Sequence, residues 1–259
     1  MADEREATLA AADWPEIVRR IRARTPARIL VGRAGAAYRT STQLELREAH
    51  AAARDAVRAE LDLATTLGTE FVARWGLFEV STQAAGKDAF LLQPELGRHF
   101  NEAARADLKR RCSPGNDLQI AIGDGLSVPA VAAQIPALFP MIHAGARERG
   151  WTMGQSFVIR HCRVGILNEI GELLDAKVAL LLIGERPGLA TAESLSAYMA
   201  YRPQRAHSDA DRNLISNIHS RGTPPQDAAT RILDLVAQMM QAQASGYKIR
   251  EGRKAFPRE

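Results

Sequence analysis

The sequence predicts an α/β protein. A Rossmann-like, three-layer domain built on a parallel sheet is expected over residues 114–259, preceded by a mainly helical region over residues 1–113. Three observations predict it. Apolar runs of strand length at 117–123, 155–163 and 177–184 alternate with stretches of helical period, the pattern of βαβ units joined by right-handed crossovers. The third run is apolar at every position from Val178 to Ile183, as a central parallel strand buried on both faces requires. The chain before Cys112 lacks this alternation and is rich in Ala, Leu, Glu and Arg, which are strong helix formers.

In chain order, Trp14, Ile17, Val18 and Ile21 recur at helical spacing opposite Glu16, Arg19, Arg20 and Arg22, so an amphipathic helix capped by Asp13 is expected. Its apolar stripe fits packing on the protein's own body better than docking to a partner. Residues 29–31 suggest a short extended piece turning at Gly32 and Gly35. Helices are expected over 42–66 and 96–111, and the breaker cluster CSPGND (112–117) marks the domain boundary. After the first strand, ending at Gly123-Asp124-Gly125, a long helix spans 128–149 with Pro129 in its first turn and Pro136 and Pro140 placed to kink it. The second strand leads into a helix over 164–174 with Leu167, Ile170, Leu173 and Leu174 on one face. Thr223 as N-cap, Pro224 and Gln226 form a capping box for a last helix, whose apolar face is Ile232, Leu235, Val236, Met239 and Met240.

The 34 basic and 30 acidic residues among 259 are well mixed, giving a net charge of +4. Without a basic stripe, nucleic acid is not the expected partner, and an acidic protein surface fits better. Two cysteines, Cys112 and Cys162, form no disulfide framework and suit a reducing compartment. No apolar run reaches the roughly 20 residues of a bilayer span, and the first residues, MADEREAT, lack the features of a secretory signal. No membrane association and a cytoplasmic location are expected.

In an open parallel sheet, ligands bind beyond the carboxyl ends of the strands. Those ends are Gly123-Asp124-Gly125-Leu126-Ser127, Arg160-His161-Cys162-Arg163 and Gly184-Glu185-Arg186-Pro187-Gly188, and their Gly and charged residues suggest a binding rim. The chain carries no GxGxxG after its first strand, no GxxxxGK[ST], no GxSxG, no CxxC and no HxxxH. Adjacent strand residues point to opposite faces, so His161 and Cys162 are not expected to form a nucleophilic pair. The residues offer a binding edge and no catalytic set.

The segments GRAG (32–35), DGLS (124–127), GERPGL (184–189) with ESLSAY (193–198), and ISNIHSRGTPP (215–225) resemble the small subunit, or light chain, of ethanolamine ammonia-lyase, colinearly from about Pro26 to Tyr247. The resemblance implies a non-catalytic subunit of a carbon–nitrogen lyase that converts ethanolamine to acetaldehyde and ammonia. The obligate partner is a large, TIM-barrel subunit holding the substrate, and adenosylcobalamin lies between the two chains. It places cobalamin contacts on Val164, Glu185 and Leu214, the last a position where other members carry Cys. Arg163 would neutralise the cofactor's phosphodiester, or else pair with Glu169 or Asp175. The DxHxxG motif of another cobalamin class is absent, so the cofactor is expected with its own dimethylbenzimidazole on cobalt, base-on. Some relatives work inside a bacterial microcompartment, which the resemblance leaves open here. Two other readings of the residues stand beside it: a free-standing α/β enzyme acting on a phosphorylated or amide-bearing small molecule, and a non-catalytic assembly module.

Overall fold

A computed structural model describes residues 15–25, 27–249 and 251. Helix α1 (Glu16–Ala23) follows Pro15 and has no buried residue, with Ile17 and Ile21 exposed. Its stripe therefore does not pack on the protein's own body as expected. Asp13 and Trp14 lie outside the described residues. No strand forms at 29–31. The chain instead makes a small ribbon, β1 (Arg33–Ala34) and β2 (Ala37–Tyr38), turning at Gly35 with φ of 62°, a left-handed conformation that suits glycine.

Helices α2 (Thr40–Arg58), α3 (Leu63–Leu67) and α4 (Thr69–Trp75) follow. Asp62 caps α3 by accepting from the Thr65 N–H at 2.8 Å. After β3 (Glu79–Ser81), α5 (Lys87–Leu92) and a 3-10 turn (Pro94–Arg98) lead into α6 (Glu102–Arg111), capped by Asn101. The second part holds β4 (Leu118–Gly123), α7 (Val128–Glu148), β5 (Phe157–Arg160), α8 (Ile166–Leu174), β6 (Val178–Gly184), β7 (Leu195–Tyr201), β8 (Asn213–Ile218) and α9 (Pro225–Ala242).

One six-stranded sheet runs in the order β3-β5-β4-β6-β7-β8. The pairs among β3, β5, β4 and β6 are parallel, whereas β6–β7 and β7–β8 are antiparallel. The expected parallel sheet is thus a mixed one. The reason lies in the connections: a parallel neighbour needs a crossover, usually a helix, and only a loop joins β6 to β7. The first strand in the chain to join this sheet, β3, comes from before the CSPGND cluster.

Helices pack on both faces. Ile120, Ile122, Leu180 and Leu182 meet Ile135, Leu138 and Ile142 of α7 and Ile232, Val236 and Met239 of α9. Ala121, Ile159, Leu181 and Ile183 meet Leu108 of α6 and Ile166, Leu167 and Ile170 of α8. Helix α7 has the length and apolarity of a membrane span, but its buried side chains make it a core helix. It runs through Pro136 and Pro140 as one element. The expected capping box on α9 does not form. Pro224 is the cap residue, and Thr223 bridges to Ile218 in the sheet, its N–H donating to Asn217 O at 2.8 Å.

The antiparallel extension positions the site. Leu195, Ala197 and Met199 of β7 and Ile215 and Ile218 of β8 belong to the α7–α9 core. Tyr198, paired with Leu214, lies on the opposite face beside α8. There Leu214 is 44% exposed.

Candidate functional site

The three strand tips meet different fates. At the end of β4, Asp124 is fully buried and accepts from the N–H groups of His161 and Cys162 at 2.9 and 2.8 Å. Lys87, itself buried, places Nζ 3.4 Å from the same carboxylate. Burial raises the Asp124 carboxyl's affinity for its proton, opposed by the Lys87 charge and the two N–H donors. His161 takes a left-handed backbone, φ 56°, with Nδ1 3.2 Å from Ala84 O and Nε2 3.0 Å from a Glu60 oxygen. Ser127 caps α7 through the Ala130 N–H at 3.2 Å and donates to Ala192 O. The crevice between β4 and β5 is therefore filled by the protein's own side chains, and the rim expected along all three tips is open only at its margin.

Both cysteines are buried. Burial pushes the Cys112 thiol up to about 11, and burial together with the Asp124 charge raises the Cys162 thiol above its ordinary value, which disfavours the reactive thiolate. His161 and Cys162 form no hydrogen bond with one another, but they lie beyond the end of β5 at Arg160, where His161 turns left-handed, so strand alternation is not the reason. Among the described residues, no group of three His, Cys, Asp or Glu side chains is placed to hold a metal ion.

Val164 and Glu185 come from loops and Leu214 from β8, yet the fold brings them to one face. Val164 precedes α8 and packs, half-buried, on the same core as Tyr198. Glu185 follows β6 and turns onto the Tyr198 face: its Oε1 accepts from Ser196 Oγ at 2.6 Å and from the Asn217 N–H at 2.8 Å, and its Oε2 accepts from Ser194 Oγ at 2.5 Å. The Tyr198 hydroxyl is held above its ordinary value by burial and by the nearby Glu185 and Asp209 carboxylates. Leu214 is the cross-strand partner of Tyr198, so it stands on that same face.

Arg163 does not form the ion pair expected with Glu169 or Asp175. Its guanidinium lies 4.2 Å over the Phe90 ring and donates to Phe90 O at 3.1 Å. Glu169 pairs instead with Arg105 and accepts the Phe100 N–H at 2.9 Å. Arg163 is thus turned inward, fastening α5 to the loop that carries Val164. Beyond that loop opens a cavity of about 850 Å³, whose lining includes Arg98, Gly165, Asn168, Asp209 and Arg212.

The face suits a large amphipathic group. Val164, Leu214 and the Tyr198 ring offer apolar area, Glu185 Oε2 retains acceptor capacity beyond its one bond, and arginines line the adjoining cavity. Sequence reasoning missed Tyr198, Ser194, Ser196, Arg98 and Arg212. The alternation in LSAYMAY (195–201) was the signal available for the first of them; for the two arginines only the folded loops bring them together.

Comparison with known proteins gives a consistent family. The family model described as ethanolamine ammonia-lyase light chain (EutC) matches residues 15–250. Two proteins named ethanolamine ammonia-lyase small subunit, from Clostridium perfringens and Clostridioides difficile, are each 39% identical to this chain over 230 residues, covering 89% of it and 76% of the relative. The chain therefore belongs to the ethanolamine ammonia-lyase light-chain family.

Proposed function

We propose that this chain is the cofactor-covering small subunit of an adenosylcobalamin-dependent ethanolamine ammonia-lyase, and that its Tyr198 face closes over the corrin against a large subunit. The observation that carries this reading is the convergence of Val164, Glu185 and Leu214, from two loops and strand β8, on a face that α8 borders and where Leu214 stays exposed among the described residues. The described residues from 114 onward form the cobalamin-binding unit, whose β4–α7–β5–α8–β6 portion is Rossmann-like, and those before 114 form the mainly helical region that lends it β3. When bound, the cofactor supplies the radical chemistry of the reaction. This chain's residues bind, orient and exclude water: Val164 and Leu214 give apolar contact, and the Glu185 carboxylate, already oriented by two serines, offers its remaining acceptor site to an amide of the corrin.

The missing DxHxxG motif supports base-on binding. His99 and His207 line the adjoining cavity, with their Nδ1 atoms engaged by Glu169 and by the Gln204 N–H. Electron paramagnetic resonance of the Co(II) state should show superhyperfine coupling from dimethylbenzimidazole nitrogen. Coupling from a protein histidine nitrogen would contradict base-on binding.

Leu214 tests the face itself. Because it is exposed, Leu214→Asp should leave thermal stability within about 0.5 kcal/mol while the assembled enzyme loses cobalamin about tenfold more readily. Leu214→Cys should retain cobalamin as the parent does. Equal retention in the Asp variant would remove Leu214 from the contact surface.

A further inference from the structure

Arg163 donates from Nη2 to Phe90 O and stacks on the Phe90 ring. The cavity beside Val164 offers the anionic part of the cofactor two further cations. We infer that Arg98 and Arg212, lining this cavity next to Val164 and Leu214, receive the phosphodiester of the cofactor's nucleotide tail. The inference rests on the cobalamin reading of the face given above.

Arg212 continues in extended backbone into β8, so it shares a face with Leu214 two residues on. Its side chain is 5% exposed. Nη2 donates to Asn168 Oδ1 at 3.0 Å and Nη1 pairs with Asp209, yet the buried Nε has no hydrogen-bond partner. Arg98 approaches from the 3-10 turn before α6, its stem lying over Gly165: a Cβ added there would meet Arg98 Cγ and Cδ at 2.9 Å. The two cations are close enough that Arg98 adds to the effect of burial in lowering Arg212's hold on its proton. An anion between them relieves that repulsion, and guanidinium forks match phosphate oxygens. Gly165 also marks the start of the nine-residue α8, whose dipole favours negative charge.

The carboxylates in the cavity do not forestall this. Glu169 is committed to Arg105 and the Phe100 N–H, and Glu172 to the Arg205 N–H at 2.9 Å. Glu95 and Asp209, which hold Arg98 and Arg212, have side chains 73% and 89% exposed. The Glu95–Arg98 pair is exposed on both sides and worth little, and Asp209 reaches the buried Arg212 from solvent, so a phosphodiester can displace Glu95 and join or replace Asp209.

The test uses the assembled two-subunit enzyme and three corrins: cobalamin, cobinamide methyl phosphate, which keeps the phosphodiester but lacks the base, and cobinamide, which lacks both. Binding is read by corrin absorbance in equilibrium dialysis, and assembly by gel filtration. Arg98→Gln, and Gly165→Ala, which displaces the Arg98 stem, should each weaken cobalamin and cobinamide methyl phosphate about tenfold and leave cobinamide unchanged. Raised salt should narrow the parent enzyme's preference for the two phosphodiester ligands. An assembled Arg98→Gln enzyme that loses nothing, or loses cobinamide equally, overturns the inference while the cobalamin reading stands. A parent enzyme that binds no corrin overturns the cobalamin reading and the inference with it.

Discussion

Glu185 does two jobs with one carboxylate. It accepts from Ser194, Ser196 and the Asn217 N–H, tying the end of β6 to β7 and β8, and what acceptor capacity remains faces outward. Sequence reasoning read it as a ligand residue at a strand tip. The hydrogen bonds add a structural role. Bonds to a charged acceptor contribute roughly 1.5–3 kcal/mol each, so losing all three in Glu185→Ala should cost upwards of about 3 kcal/mol in urea denaturation as well as loosening cobalamin. A variant that keeps full stability but releases cobalamin would show that the three bonds do not hold the extension. Ser196→Ala should lose stability with little loss of cobalamin, because its hydroxyl is turned to Glu185.

At the scale of elements, the Lys87–Asp124 pair is the clasp that closes the β4–β5 crevice. It joins α5 to the loop after β4, and Asp124 in turn holds the backbone of His161 and Cys162 ahead of α8. Removing one partner of a buried pair costs about 3–5 kcal/mol. Lys87→Met should approach that loss at neutral pH, and adding Asp124→Asn should restore part of it, both read from urea midpoints. An additive double variant would mean that the two groups do not interact. Asp117 gives the acid limb. Its carboxyl lies below the usual range because of its hydrogen bond to Lys177, with further lowering by Thr152 outweighing burial. A folded value below the unfolded one gives stability that is present above the unfolded value, about 3.9, and is lost as pH falls through the folded one. Asp117→Asn should therefore lose stability at pH 7 and show a flatter decline in acid. An unchanged acid limb would remove Asp117 as a contributor.

The three parallel strands and their helices were legible because an all-apolar run such as VALLLI (178–183) has few other uses. The strand LSAYMAY was harder, since it mixes Ser, Ala and Tyr where VALLLI is apolar throughout. β3 is shorter still and earns its place only by pairing with β5, a contact that local pattern cannot reveal. The cap of α9 went astray for a similar reason: Thr223 satisfies the local capping pattern, but its backbone is taken by the Asn217–Ile218 segment. Of the site, Val164, Glu185 and Leu214 were found through resemblance. The stacking of Arg163 on Phe90 was not legible, because it depends on where α5 lands.

At the scale of the whole molecule, apolar side chains remain exposed at Ile17, Ile21, Tyr38, Leu44, Leu92 and Leu214. They lie mainly in the helical region and on the Tyr198 face. A subunit that covers half of a large cofactor buries about 2,000 Å² or more against its partner, so this chain expressed alone should aggregate or bind cobalamin poorly, and co-expression with a large subunit should recover it. The central claim is that the cofactor is shared. Mixing the chain with an ethanolamine ammonia-lyase large subunit and adenosylcobalamin, then running gel filtration with full-spectrum detection, tests it most directly. Cobalamin absorbance should migrate with both chains together and with neither alone. A chain that elutes by itself and colourless, beside a large subunit competent with its own small subunit, would contradict the account.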